Sequence, residues 1–302
     1  VIDGGDGDDT ITDYNGGGGG DVNILRGGAG NDTIMYSHRA ASYTIEGGDG
    51  NDFIKVDYYA GPSVNTLNGG KGDDRFLTGA QADTYIYNRG DGKDSIFEDT
   101  RNVATPGTDV IVFGEGIALS DITAVRQGDH LVIKIADPSN ASATDQITVE
   151  RWYSDTRARI ETLNFVDGST LTAAQLTEMG SVIYGTDAAD SLSGFSDNNI
   201  IYGSGGNDTI SDGNGSDVID GGDGDDTITD FSTTSFIDIN TLRGGGGNDT
   251  VTYSYRSKGN FIEGGAGNDW IKSDQPQNGS VPQSNTLNGG SGDDRFNSST
   301  GA

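Results

Sequence analysis

The chain has 302 residues, of which 50 are Gly and 47 are Asp or Glu against 18 Lys or Arg, for a formal charge of −29. Only 32% are hydrophobic, too little apolar surface to offset chain entropy and self-repulsion, so cations are expected to supply part of the folding free energy. The same balance excludes nucleic acid and anionic membrane as direct partners, since both need Lys/Arg clusters; no apolar run nears the ~18 residues of an inserted span, and without Cys there are neither disulfides nor thiolate metal sites.

From Val1 to about Phe97 the chain is built on one nonapeptide. Residues Gly4 to Thr12 read GGDGDDTIT, and the pattern G-G-x-G-x-D-x-U-x, with U a large apolar residue, opens again at Gly27, Gly47 and Gly69. Gly at positions one, two and four permits positive φ and a tight turn that aims carbonyls inward, while the sixth-position Asp brings a carboxylate to the same point. Hard oxygens converging there suit Ca²⁺, which takes roughly six to eight of them. The eighth residue lies in a short strand and points to the interior. Each half-turn therefore brings one core side chain and half a site, and stacking is obligatory. Rows recur every 20 to 23 residues rather than the 18 of two nonapeptides, so one edge is expected to keep the calcium turn and the other to carry longer loops at 13–23, 35–44 and 56–65. Degenerate copies at 78–86 and 89–97 put Asp83 and Tyr85, then Asp94 and Ile96, in register.

After Phe97, Glu98-Asp99-Thr100 stand where turn glycines would be needed, and the motif is absent to about residue 183. Alternating apolar stretches at 109–113, 131–136, 146–152 and 160–166 read as antiparallel strands of a small β-rich inserted domain spanning 98–183. Thr172 is placed as the N-cap of a short helix reaching Met179. Trp152 and Phe165 are expected in that domain's core, and His38 and His130 at the surface.

Five nonapeptides then run without a gap from Gly185, Gly194, Gly203, Asp212 and Gly221, and further rows open at Gly244, Gly264 and Gly289. A second roll is expected over 184–302, with both edges carrying turns at first. Val218 to Asp230 repeats Val1 to Asp13 without a difference, so a tandem unit of about 220 residues begins again near 218. With no secretory leader and no initiator Met, the chain reads as a window on a longer array.

The nonapeptide resembles the calcium-binding repeat of RTX proteins. The stretches FGEGIALSDI, GDHLVIKI, DQITVERWYSD and RIETLNFVDGSTLT resemble the haemolysin-type calcium-binding-related domain found between RTX blocks of large bacterial surface and secreted proteins. The resemblance implies an all-β chain in which right-handed parallel β-rolls at 1–97 and 184–302 flank the β-rich insert. It also implies a ligand rule: carbonyls at positions two and four, with the Asp of one row, meet carbonyls at positions one and three, with the Asp of the next. Carried onto this chain, Gly5, Gly7 and Asp9 meet Gly27, Ala29 and Asp32; Gly28 and Gly30 join Asp32 to Gly47, Asp49 and Asp52; Gly48 and Gly50 join Asp52 to Gly69, Lys71 and Asp74; Gly70 and Gly72 lead from Asp74 toward Asp94.

In the second roll the same rule links Asp190, Asp208, Asp226, Asp249, Asp269 and Asp294 in one file. The turn carbonyls there belong to Gly203, Gly205 and Gly206; to Gly221, Gly222, Asp223 and Gly224; to Gly244, Gly245, Gly246 and Gly247; to Gly264, Gly265, Ala266 and Gly267; and to Gly289 and Ser291. Asp217 faces Asn199 on the other edge. That site is weakened by the amide at Asn199 and by the missing glycines of Gly194-Phe195-Ser196-Asp197. About ten Ca²⁺ ions contributing about +20 would bring the charge to about −9. The implied function is structural: an extracellular, calcium-stabilised repeat region of a large secreted or surface bacterial adhesin, matrix or fibre protein, exported by a type I system. The alternative is a carrier region of a secreted enzyme or toxin whose active domain lies elsewhere; the tandem unit favours the structural reading.

An EF-hand reading of Asp3–Asp9 fails for want of a twelfth-position Glu and flanking helices. Paired acids such as Asp8-Asp9 and Asp73-Asp74 recur with an assigned role in each row, so no catalytic residue is expected. Aromatic residues gather in the longer loops: Tyr14, Tyr36, Tyr43, Tyr58, Tyr59, Phe231, Phe236, Tyr253, Tyr255 and Phe261. They either pack over the flank of the roll or offer a surface for self-association.

Overall fold

The computed structural model describes residues 1–13, 22–37, 42–57, 64–79, 81–101, 107–230, 238–254, 257–273 and 284–297. Two compact units result, Val1–Gly180 and Ser181–Ala302. Both are parallel β-rolls, in which the chain alternates between two facing sheets and each pass adds one strand to each sheet.

In the first unit one sheet runs Ile2–Asp6, Val22–Ala29, Ser42–Asp49, Val64–Lys71, Ala82–Tyr87, Val110–Phe113, Thr162–Asn164 and Thr170–Thr172. Its neighbours are parallel except the last pair. The facing sheet runs Thr10–Asp13, Thr33–Ser37, Phe53–Asp57, Arg75–Thr78, Lys93–Glu98 and Gln146–Val149 in parallel, then turns antiparallel through His130–Ile135 to Ile122–Gln127. Register puts the eighth-position residues in one inward column, Ile11, Ile34, Ile54, Phe76 and Ile96, which continues to Val149. Leu25, Ile45, Leu67, Tyr85, Ile111 and Leu163 face it. All but the open end of these columns is buried. Period-two alternation with one apolar face is what places one residue of every strand in that interior.

The expected boundary near Phe97 falls inside both sheets, which run across it without a break. Three of the four strands expected to be antiparallel, Val110–Phe113, Gln146–Val149 and Thr162–Asn164, instead join the roll in parallel on one side. Ile111 and Val149 extend the apolar columns, so stacking continues after the turn glycines have gone. Beyond them, hairpin strands and the helix Ala173–Gly180 close the end of the unit over Trp152 and Leu176, both fully buried. Thr172 and Gln175 cap that helix reciprocally: Thr172 N–H donates to Gln175 Oε1 at 2.9 Å, and Gln175 N–H to Thr172 Oγ1 at 3.4 Å. Trp152 Nε1 donates to Thr177 Oγ1 at 2.9 Å.

The second unit has two six-stranded parallel sheets. One runs Val182–Tyr184, Ile200–Tyr202, Val218–Asp223, Ile239–Gly246, Gly259–Ala266 and Thr286–Ser291; the other runs Ser191–Ser193, Thr209–Ser211, Thr227–Thr229, Thr250–Tyr253, Trp270–Ser273 and Arg295–Asn297. Its core is two aliphatic columns, Ile201–Ile219–Leu242–Ile262 and Ile210–Ile228–Val251–Ile271.

The loop aromatics divide. Tyr36, Tyr43 and Tyr253 are buried, with Tyr36 and Tyr43 ring centroids 4.6 Å apart, because these positions fall at strand ends that face inward rather than on the outer loop. Phe261 is exposed. Tyr14, Tyr58, Tyr59, Phe231, Phe236 and Tyr255 lie outside the described residues, as does His38. His130 is partly buried, and its Nδ1 accepts the Arg151 N–H at 3.1 Å.

Candidate metal centre

The nonapeptide turns are tied row to row through their Asp side chains. Asp9 N–H donates to Asp32 Oδ1, Asp32 N–H to Asp52 Oδ1 and Asp52 N–H to Asp74 Oδ1, each at 2.7 Å, and Asp74 N–H donates to Asp94 Oδ1 at 3.0 Å. The second unit repeats the relay through Asp190, Asp208, Asp226, Asp249, Asp269 and Asp294 at 2.7 to 3.0 Å. One carboxylate oxygen per row is thus consumed as a rung. The other is not: Oδ2 of Asp9, Asp32, Asp52 and Asp74, and of Asp208, Asp226, Asp249 and Asp269, is buried without a hydrogen-bond partner. An unpaired buried polar oxygen costs ~1–3 kcal/mol, and more when charged. A repeated file of them presents hard oxygen donors to a compensating cation.

Carbonyls crowd the same points. A methyl group on Gly4 would lie 2.5 Å from Asp9 Oδ2 and 2.6 Å from the Gly27 carbonyl, so first-position Gly is required by the approach of two oxygens. The same pairing surrounds Gly27, Gly47, Gly221, Gly244 and Gly264. Gly28 and Gly30 take φ of +118° and +131°, which other L-residues rarely adopt. The third-position carbonyls of Ala29, Asp49 and Lys71 accept N–H groups from Gly7, Gly30 and Gly50 at 2.6 to 2.7 Å, and a carbonyl retains a second lone pair after one such bond.

Burial pushes the carboxyls up: Asp52 and Asp226 to about 6, Asp74 and Asp249 to about 7, and Asp94 to about 9, with repulsion from neighbouring Asp residues adding to desolvation. Asp269 is raised for the same reason. Oxygen-only donors, carbonyls together with carboxylates that have lone pairs to spare, fit a hard divalent cation of the Ca²⁺ class.

Two positions are built differently. Asp190 Oδ2 accepts from Thr186 N–H at 2.7 Å and Thr186 Oγ1 at 2.8 Å, so it is satisfied by a hydroxyl residue where the rows from Gly221 onward have Gly. On the opposite edge, Asn199 N–H donates to Asp217 Oδ1 at 2.6 Å, while Asn199 Nδ2 donates to the carbonyls of Phe195 and Asp197. The amide occupies the turn carbonyls that a cation would otherwise gather. Asp217 keeps an unpartnered, buried Oδ2, and burial raises its carboxyl to about 7.

Two further ladders have no counterpart in the sequence reading. Fifth-position side chains form an outer file: Asn31 N–H donates to Asp8 Oδ1, Asn51 N–H to Asn31 Oδ1 and Asp73 N–H to Asn51 Oδ1. On the second edge of the second unit, Asp217, Asn240 and Asn260 each donate N–H to the Oδ1 of Asn240, Asn260 and Asn285 in turn. The recurrence of Asx at these positions was the available signal.

The RTX calcium-binding nonapeptide repeat (4 copies) matches residues 17–35, 44–55, 59–94, 180–210, 202–229, 237–253, 257–275 and 283–302, more than half of the chain. The chain belongs to the RTX calcium-binding nonapeptide repeat family. Between the RTX blocks, residues 130–175 match the haemolysin-type calcium binding protein related domain, the part that closes the first roll. Among curated proteins this RTX chain is similar to the iron-regulated protein FrpA of Neisseria meningitidis serogroup C, at 31% identity over 99 residues, covering 32% of this chain and 8% of that protein. The chain thus matches only a small part of that relative's length. Among solved structures it is similar to the extracellular lipase LipA from Serratia marcescens, at 18% identity and a TM-score of 0.19, covering 90% of this chain and 35% of that one. Among the described residues no helix is long and apolar enough to cross a membrane.

Proposed function

We propose that this chain is a calcium-stabilised structural segment of a large secreted or cell-surface bacterial protein, with a mechanical rather than a catalytic role. The observation that carries the reading is the file of buried, unpartnered Oδ2 atoms, most of which crowd the same first-position Gly as a turn carbonyl of the next row. In this reading each ion lies between two rows. Gly5, Gly7 and Asp9 hold it from one side and Gly27, Ala29 and Asp32 from the other, and the pattern repeats through Asp52, Asp74 and Asp94 and along the file from Asp208 to Asp294. Every inner Asp serves two ions, so the rows stiffen together. The identity of Val1–Asp13 with Val218–Asp230 supports a tandem array over a single carrier block, and tandem copies of the same long chain are its natural neighbours. Export before Ca²⁺ is met would let the chain leave unfolded.

The test is far-UV circular dichroism of the chain with excess chelator and with millimolar Ca²⁺. The β signal is expected only with Ca²⁺, with a midpoint of roughly 10⁻⁴ to 10⁻³ M as in extracellular modules. An equal β signal in chelator at pH 7.5 rules the reading out.

A further inference from the structure

At the edge opposite the nonapeptide turns, the first unit carries a second group of inward acids. Asn65 and Asp83 share a register position on neighbouring strands, and Asp109, one residue before the partner of Thr84, stands next to Asp83. The relay of the Asp file is reproduced here: Asp83 N–H donates to Asp109 Oδ1 at 2.8 Å and Asp109 N–H to Glu161 Oε2 at 2.6 Å. Glu98, at the end of the strand Lys93–Glu98 in the facing sheet, completes the group. One oxygen from each of Asp83, Glu98 and Asp109 lies within 4.8 Å of the others, and all three residues are at most 2% exposed.

The hydrogen-bond donors do not satisfy this group. Asn65 Nδ2 reaches Asp83 Oδ1 at 2.6 Å, and Thr78 Oγ1 and the Tyr85 hydroxyl both reach Glu98 Oε1. Asp83 Oδ2, Asp109 Oδ2 and the neutral Asn65 Oδ1 beside them are buried with no partner. In the second unit, by comparison, the buried Asp230 Oδ2 accepts from Ser254 N–H, Ser257 Oγ and Asn260 Nδ2 at 2.9 to 3.3 Å. Desolvation first, then mutual repulsion, raises the proton affinity of Glu98 and Asp109, and desolvation alone raises that of Asp83.

We propose that Asp83, Glu98 and Asp109 form a separate site for a hard divalent cation of the Ca²⁺ class, held by three side-chain carboxylates rather than by turn carbonyls. All available donors are oxygens, which disfavours metals that seek nitrogen or sulfur. Three buried carboxylates with unspent lone pairs need a compensating charge within reach. Because Asp83 lies at the start of the last strand before Phe97 in one sheet, Ala82–Tyr87, and Asp109 immediately precedes the first strand after it, the ion clasps the nonapeptide rows to the segment that closes the roll.

The experiment is long-wavelength anomalous diffraction from crystals of the whole chain grown in millimolar Ca²⁺, with equilibrium dialysis counting ions in wild type, Glu98→Gln and Asp109→Asn. A calcium peak about 2.3–2.6 Å from an oxygen of each of the three residues is expected, and each variant should bind one ion fewer per chain while the peaks along the Asp file persist. Asp52→Asn serves as the contrast, since it should remove file ions and leave this peak. A calcium-saturated wild-type crystal with peaks along the file and none within the cluster overturns the proposal, as does an unchanged ion count in Asp109→Asn. A peak in the cluster with an empty file would uphold this site and count against the nonapeptide reading instead.

Discussion

Asp226 N–H donates to Asp249 Oδ1 at 2.8 Å, while Oδ2 of both carboxylates is buried and unpartnered. One side chain is therefore a rung of its neighbour's backbone and, in the proposed arrangement, a ligand as well, so a mutation acts on both roles at once. Asp226→Ala removes the acceptor of Asp208 N–H, a loss of ~1–3 kcal/mol, and should break the proposed sites on both sides. Asp294→Ala removes one rung, to Asp269. The calcium midpoint of Asp226→Ala, followed by circular dichroism, is expected to move upward several-fold more than that of Asp294→Ala. Equal midpoints would contradict nearest-neighbour coupling.

The metal-free chain should be favoured by acid. Asp52 and Asp226 near 6, Asp74 and Asp249 near 7 and Asp94 near 9 all stand above the ordinary carboxyl value of 3.8. Such groups hold a proton more tightly folded than unfolded, so their penalty is absent below about pH 4 and grows as pH rises through the folded values. In excess chelator the β signal is expected to increase as pH falls from 8 toward 5. With millimolar Ca²⁺ it should be flat across that range, and Ca²⁺ binding near pH 6.5 should release protons measurable in two buffers of different ionisation heat. A chelated chain indifferent to pH would remove the basis of this expectation.

Asn199 predicts a gain of calcium dependence. Its Nδ2 donates to the Phe195 and Asp197 carbonyls, so Asn199→Asp exchanges a donor for an acceptor among acceptors. At pH 7.5 the variant should need more Ca²⁺ than wild type to gain its β signal, by the ~1–3 kcal/mol of a buried unsatisfied group, and should match wild type at saturating Ca²⁺. Equal calcium midpoints would show that the amide is dispensable.

Gly27→Ala tests the close approach in the turn. The added methyl would run into Asp32 Oδ2 and the Gly47 carbonyl, and relieving that contact is expected to cost roughly 1–3 kcal/mol. Because the proposed site draws on those oxygens, the loss should be read as a raised calcium midpoint as well as a lowered melting temperature. An unchanged midpoint would place both oxygens outside the cation's shell.

Much of the roll was legible because the nonapeptide encodes turn, ligand and core residue in one string. Asp32, Asp226 and the eighth-position Ile column could be set in register from spacing alone. The segment after Phe97 was harder. Val110–Phe113 and Gln146–Val149 alternate like any half-buried strand, and alternation gives a face without giving the direction of the partner. The loop expected over 35–44 was drawn too long for a related reason: Tyr36 and Tyr43 belong to the ends of the strands Thr33–Ser37 and Ser42–Asp49, and a step of one or two residues decides between interior and loop. Glu98 and Asp109 carried no motif at all. Their proximity depends on two sheets closing over each other, which no local pattern expresses.

The first roll also differs at its two ends. Its parallel sheets pass at one end into the antiparallel strands His130–Ile135 and Ile122–Gln127, with the helix Ala173–Gly180 packed against the latter. A parallel stack grows by presenting unpaired backbone edges to whatever strand comes next, and a helix packed over the hairpin is one of the ways such an edge is covered. A roll built this way is polar in the way a filament is: the hairpin end is the poorer docking edge, so edge-to-edge aggregation is disfavoured there.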